Sequence, residues 1–280
     1  MGRPAGSLGP VTGVLRDWLT PASSDLSAPD PSERRLIRTE LLIVLGITLA
    51  LSATRSALSL VNSLLRPERL PDQHVALNAP QALNQYVDLA LQLTSAAQLA
   101  GWGALGAYLL VRAGLTLRDF GLDRTRPGRD LAMAAGLAAL IGIPGLGLYL
   151  VAHAVGANLT VLPSTLTDTW WRLPVLVVSA AGNAFAEEVL LTGYLLTRIR
   201  QLGRGPNYAL AASAFLRGCY HLYQGFGGFI GNLVMGAVFG RVWQRTGRLW
   251  ALFGAHLVLD VVAFVGFALL AGKVSWLPVK

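Results

Sequence analysis

Two adjacent carboxylates, Glu187 and Glu188, lie inside an apolar run from about Leu173 to Leu196. Ionisable residues recur in later apolar runs as Arg217 with His221, then His256 with Asp260. Such groups, brought together, can do several things. A carboxylate beside a neutral imidazole can take a proton from water, which then attacks a carbonyl, while a His or Asn donor stabilises the oxyanion. Two histidines with one or two carboxylates can instead hold zinc, although no HExxH pairing decides for it. The same groups can also carry protons or cations through a membrane transporter.

The elements that carry these residues must bring them together. A run of this length crosses a bilayer as a helix. Each ionisable group facing lipid costs roughly 3 kcal/mol on insertion scales, so the six groups would cost up to about 18 kcal/mol. That exceeds the stability of a typical domain. The three runs therefore converge, and their polar groups pair or meet water. Glu187 and Glu188, neighbours on a helix, point about 100° apart. One is expected to face a reaction site and the other an internal partner. Asn183 lies one turn before Glu187, on the same face. Arg217 and His221 are four apart, as are His256 and Asp260, which places each pair on one helix face.

Only 14% of the 280 residues are charged and 53% are hydrophobic, against about 25% charged in soluble domains. The expected fold class is all-α, a polytopic membrane bundle of about seven transmembrane helices. The net charge of +8 comes from arginines beside the spans. The positive-inside rule accounts for them, and no nucleic-acid partner is inferred. Their alternation places the N-terminus in the cytoplasm and suggests a multi-pass protein of the plasma membrane. Four segments are expected: a disordered cytoplasmic tail over 1–33, N-terminal transmembrane helices over 34–171, a core over 172–272 and a short tail over 273–280. Gly6 stands where a myristoylation signal needs Ser or Thr, so no lipid anchor is inferred. The single cysteine, Cys219, excludes an intramolecular disulfide and reads as core packing.

Smaller features have simpler readings. Gly228, Asn232, Gly236 and Gly240 recur every four residues, and Gly236 with Gly240 allows helices to approach closely. Asn232 reads as an interhelical hydrogen-bonding residue that can contribute to the cavity. Arg55 and Asp88 form a candidate ion pair in the outer half. Trp170, Trp171, Tyr220, Tyr223 and Phe226 read as interfacial aromatics.

Three stretches together resemble the CPBP family of CAAX proteases and bacteriocin-processing enzymes, and are similar to its type II CAAX prenyl endopeptidases. The family's EExxxR is here Glu187-Glu188-Val189-Leu190-Leu191-Thr192, its FxxxH is Arg217-Gly218-Cys219-Tyr220-His221, and its HxxxN or HxxxD is His256-Leu257-Val258-Leu259-Asp260. The resemblance spans roughly residues 172–268. It implies an intramembrane endopeptidase, of glutamate or metalloprotease type, acting on a peptide or membrane-attached protein. Glu187 and His221 would activate water, and Glu188, His256 and Asp260 would complete the site. Arg217, Asn183 and Asn232 would support it. No cofactor is expected; zinc is the alternative, with Glu187, His221, His256 and Asp260 as its ligands. Two positions depart from the pattern, Thr192 for Arg and Arg217 for Phe. We read them as one change, in which Arg217 supplies from the fifth helix the guanidinium missing from the fourth. The other readings are a transporter using the same carboxylates and an inactive membrane scaffold.

Overall fold

The computed structural model describes residues 29–274. The expectations for 1–28 and 275–280 lie outside the described residues. Among the described residues seven helical rods follow one another: α1 (Pro31–Leu64), α2 (Gln85–Arg112), α3 (Pro127–Ala154), α4 (Arg172–Gln201), α5 (Pro206–Cys219), α6 (Phe226–Thr246) and α7 (Leu249–Leu270). Their starts follow from local chemistry. Asp30 accepts the Glu33 N–H at 2.8 Å and Pro31 opens α1, a favourable pairing because the first helical N–H groups lack intrahelical partners. Asn84 caps α2 in the same way.

Five of the rods, α1, α3, α4, α6 and α7, are long and apolar enough to cross a bilayer. α2 has the length but is not among the helices apolar enough to cross. α5 has 14 residues, which rise only about 21 Å against a hydrocarbon core of about 30 Å. It therefore stops part-way through. The most apolar stretch of α4 is 67% buried, and that of α3 only 17%. α4 is thus the central post, while α1, α3 and α7 turn residues such as Ile43, Ile143 and Val262 outward.

α4 is not a uniform α-helix. Glu188–Leu195 forms a π-helical segment, whose wider i→i+5 turns are frequent at functional sites. The Leu191 carbonyl there is turned out and accepts the Ser213 hydroxyl of α5 at 2.9 Å. α5 and α6 approach closely at Gly236. A Cβ at that position would meet Ala214 Cα at 3.0 Å and Arg217 Cδ at 3.1 Å.

The two ends of the bundle are tied differently. At the end where α1 begins, Arg198 grips Glu40 of α1 through two hydrogen bonds, 2.9 and 3.1 Å. Arg248 holds Asp130 at 2.6 Å and Asp123 at 2.7 Å, pinning the α2–α3 loop to the α6–α7 corner. At the other end two three-residue strands, β1 (His74–Ala76) and β2 (Thr160–Leu162), pair in parallel and join the long outer loops.

Two expectations need correction here. Arg55 and Asp88 do not pair. Asp88 is buried and its Oδ1 accepts the Gln81 N–H at 2.8 Å and the Gln92 side chain at 3.1 Å, whereas Arg55 is exposed. Trp170 is 75% exposed, as an interfacial residue would be, but Trp171 is 1% exposed and packs with Leu176 and Phe264.

Candidate active site

Glu187 ends the first α-helical stretch of α4, and Glu188 opens the π segment. Their side chains diverge. Glu187 lines a cavity of about 1600 Å³ among α3, α4, α6 and α7. Glu188 points away from it and is fully buried. Three helices meet the Glu188 carboxylate. Arg217 Nη2 of α5 lies 2.7 Å from Oε1, His256 Nδ1 of α7 lies 2.8 Å from Oε1, and Thr192 Oγ1 of α4 donates to Oε2 at 3.0 Å. A charge so deep in protein is tolerated when it is paired and hydrogen-bonded. Arg217 also reaches back to Glu187, with Nη1 3.5 Å from Oε2.

The second shared surface is the cavity wall. His221, His256, Asp260, Asn183 and Asn232 all line it with Glu187. Asn183 Nδ2 donates to Asp260 Oδ2 at 2.8 Å, and His256 Nε2 stands 3.6 Å from the same oxygen. His256 therefore has a carboxylate beside each nitrogen. His221 Nδ1 is held by the Arg217 carbonyl at 3.0 Å. Among the described residues no protein group hydrogen-bonds Glu187 Oε1 or His221 Nε2, the atoms available to the cavity.

The chain reaches this arrangement by a route the four-residue spacing hides. α5 ends at Cys219, and Tyr220 and His221 follow beyond its last turn. Arg217 and His221 are thus not stacked on one face of a continuing helix. Arg217 is buried behind the site and His221 faces the cavity. A short turn over Leu222–Gln224 follows, and the chain then passes through Gly225, at φ +109°, before α6 begins. There Asn158 of the outer loop accepts the Gly227 N–H at 2.9 Å and the Gly228 N–H at 3.3 Å, satisfying donors that a helix start leaves open. Asn232 does not bridge helices. Its amide returns to the Gly228 carbonyl of its own helix at 3.0 Å.

Tyr220 is a further correction. It is buried, not interfacial, and its hydroxyl donates to Glu187 Oε2 at 2.5 Å. No spacing rule singled it out, because its position depends on where α5 stops. The signal that was available is its place between two polar residues, Arg217 and His221, in an otherwise apolar run.

Residues 169–262 are Rce1-like, matching the family model described as type II CAAX prenyl endopeptidase. No curated protein and no solved structure gives a significant match. The Rce1-like stretch begins just before α4 and ends in α7, so it contains every residue placed around Glu187 and Glu188 above. It agrees with the three motifs of the CPBP family and supports a CAAX-type protease held in a membrane. Within this Rce1-like segment the two departures, Thr192 and Arg217, are joined through Glu188, which accepts from both.

As for a metal, no group of three or more His, Cys, Asp or Glu among the described residues is placed to hold one. Each candidate ligand has a protein partner at one atom: Glu187 Oε2 at Tyr220, His221 Nδ1 at the Arg217 carbonyl, His256 Nδ1 at Glu188, and Asp260 Oδ2 at Asn183.

Proposed function

We propose that this protein is an intramembrane endopeptidase in which Glu187 and His221 activate the attacking water. One observation carries the reading. Glu187 and His221 line the same largely apolar cavity, and the polar contacts of their side chains to protein are made through Glu187 Oε2 and His221 Nδ1, leaving Oε1 and Nε2 for it. A water held between them gives a proton to Glu187 as its oxygen attacks the peptide carbonyl carbon. The carbonyl oxygen gains the negative charge and is met by N–H donors from His256 and Asn183, which stand together at Asp260. The proton then passes to the leaving amine, and one water is consumed per bond cleaved. Glu188 and Arg217 do not touch substrate in this scheme. They neutralise each other and set His256 in place.

The substrate we assign is a peptide or membrane-attached protein whose segment near the scissile bond is apolar, as the lining is. The cytoplasmic N-terminus and a plasma-membrane location belong to the same proposal. The decisive experiment is cleavage of a quenched peptide library by purified protein in proteoliposomes. Wild type is expected to cleave, and Glu187→Gln or His221→Ala to lose at least about 100-fold in kcat. Chelation is expected to leave the rate unchanged. Ion flux dependent on Glu187 with no cleavage would turn the reading toward a transporter.

A further inference from the structure

We infer that Tyr220 is a positioning residue that orders both members of the water-activating pair, Glu187 through its hydroxyl and His221 through its ring. The inference rests on the function proposed above and deepens it.

The first contact is the hydrogen bond. A buried phenol needs an acceptor, and the one it has is Glu187 Oε2, at 2.5 Å. A glutamate side chain is long, and an unheld carboxylate samples several rotamers. With Oε2 tied to Tyr220 and 3.5 Å from Arg217 Nη1, the two oxygens are no longer equivalent. Oε2 is turned into protein and Oε1 is presented to the cavity. Arg217 alone does not do this, since its closer partner is Glu188, at 2.7 Å.

The second contact is ring to ring. The Tyr220 and His221 ring centroids are 4.6 Å apart with 41° between planes, and Tyr223 lies against His221 at 6.3 Å and 23°. Sequence neighbours on a continuing helix point about 100° apart. They meet here because α5 ends at Cys219 and Tyr220 takes φ −80°, ψ 1°. His221 Nδ1 is already bound to the Arg217 carbonyl, so the Tyr220 ring removes its remaining freedom to rock. The general base and its imidazole partner are thus held by one side chain.

The test uses the full-length protein and the cleavage assay, with kcat referred to the monodisperse fraction after gel filtration. Tyr220→Phe keeps the ring and removes only the hydroxyl. It is expected to lower kcat about 10- to 100-fold, with KM within about threefold, because a loosened base loses the reactive geometry without losing substrate contacts. Tyr220→Leu removes the ring as well and is expected to fall a further 10-fold or so in kcat. A purely structural role would instead lower the yield of monodisperse protein and leave kcat of that fraction intact. Tyr220→Phe with wild-type kcat, in an enzyme that loses cleavage on Glu187→Gln, would overturn the role of Tyr220 alone. Absence of Glu187-dependent cleavage in the wild type would overturn the proposed function and this inference with it.

Discussion

Removing Arg217 tests whether the two motif departures are one change. The guanidinium is 1% exposed and sits 2.7 Å from a Glu188 carboxylate that is 0% exposed. Arg217→Phe, which restores the residue type of the family motif, leaves that carboxylate with Thr192 and His256 as its partners. Breaking a buried pair by deleting one side costs about 3–5 kcal/mol, a large share of the 5–15 kcal/mol typical of a domain. Thr192→Arg returns a guanidinium from α4, since Thr192 Oγ1 already lies 3.0 Å from Glu188 Oε2. The double variant is expected to recover about 1.5–3 kcal/mol, the worth of a hydrogen bond to a charged group. Thermal unfolding in detergent reads the stability, and peptide cleavage reads the site. The ordering expected in both is wild type, then Thr192→Arg with Arg217→Phe, then Arg217→Phe. Equal losses in the single and double variants would refute the linkage, and an Arg217→Phe protein as stable as wild type would refute the burial argument itself.

Other perturbations separate roles. Asp260→Asn keeps an acceptor for Asn183 and removes only the charge near His256; kcat is expected to stay within about 10-fold, whereas Asp260→Leu, which strands the Asn183 amide, is expected to lose more than about 100-fold in the same assay. Gly236→Val forces a side chain against Ala214 Cα and Arg217 Cδ and is expected to destabilise by about 1–3 kcal/mol, read as a lower unfolding temperature. Arg248→Met frees the α2–α3 loop from the α6–α7 corner; the unfolding temperature is expected to fall while kcat of the folded fraction is kept. The same corner predicts acid sensitivity. The Thr125 hydroxyl, then Arg248 and the Thr125 N–H, hold the Asp123 carboxyl below the usual carboxylate range. A depressed folded-state pKa contributes stability that is complete above the unfolded value, near 4, and is lost as pH falls through the folded one. Arg248→Met is therefore expected to flatten the drop in unfolding temperature below about pH 4.

Much of the bundle was legible because the bilayer demands long apolar runs. α7 falls at the residues its hydropathy marks, and Arg112, Arg200 and Arg245 stand in the last turns of α2, α4 and α6. α5 was less legible: the run carrying Arg217 and His221 leaves the helix at Cys219, and the corner that follows is completed by Asn158, 69 positions from the Gly227 N–H it accepts. The convergence of Glu187, His221, His256 and Asp260 on one cavity follows from the cost of exposing charge to lipid, an argument that needs only residue types. Which of two adjacent glutamates faces that cavity does not follow from spacing. It depends on the π segment and on Arg217 reaching across from another helix. Tyr220 was misread for the same reason, since an apolar ring with one polar atom reads identically at a membrane interface and beside a buried carboxylate.

The π segment over Glu188–Leu195 also acts as a phase shifter along α4. Each wide turn holds an additional residue relative to an α turn, so the half-helix bearing Asn183 and Glu187 is rotated with respect to the half bearing Thr197 and Arg198. Deleting one residue between Val189 and Leu191 would let the backbone relax to ordinary pitch. Arg198 would keep its grip on Glu40, and Glu187 would largely keep its facing, because losing the residue and losing the wide turn rotate the half-helix in opposite senses. A single-codon deletion is thus absorbed inside this segment, whereas the same deletion at Leu196, in ordinary α-helix, would turn Arg198 by about 100° relative to Glu187 and part the site from its tie to α1.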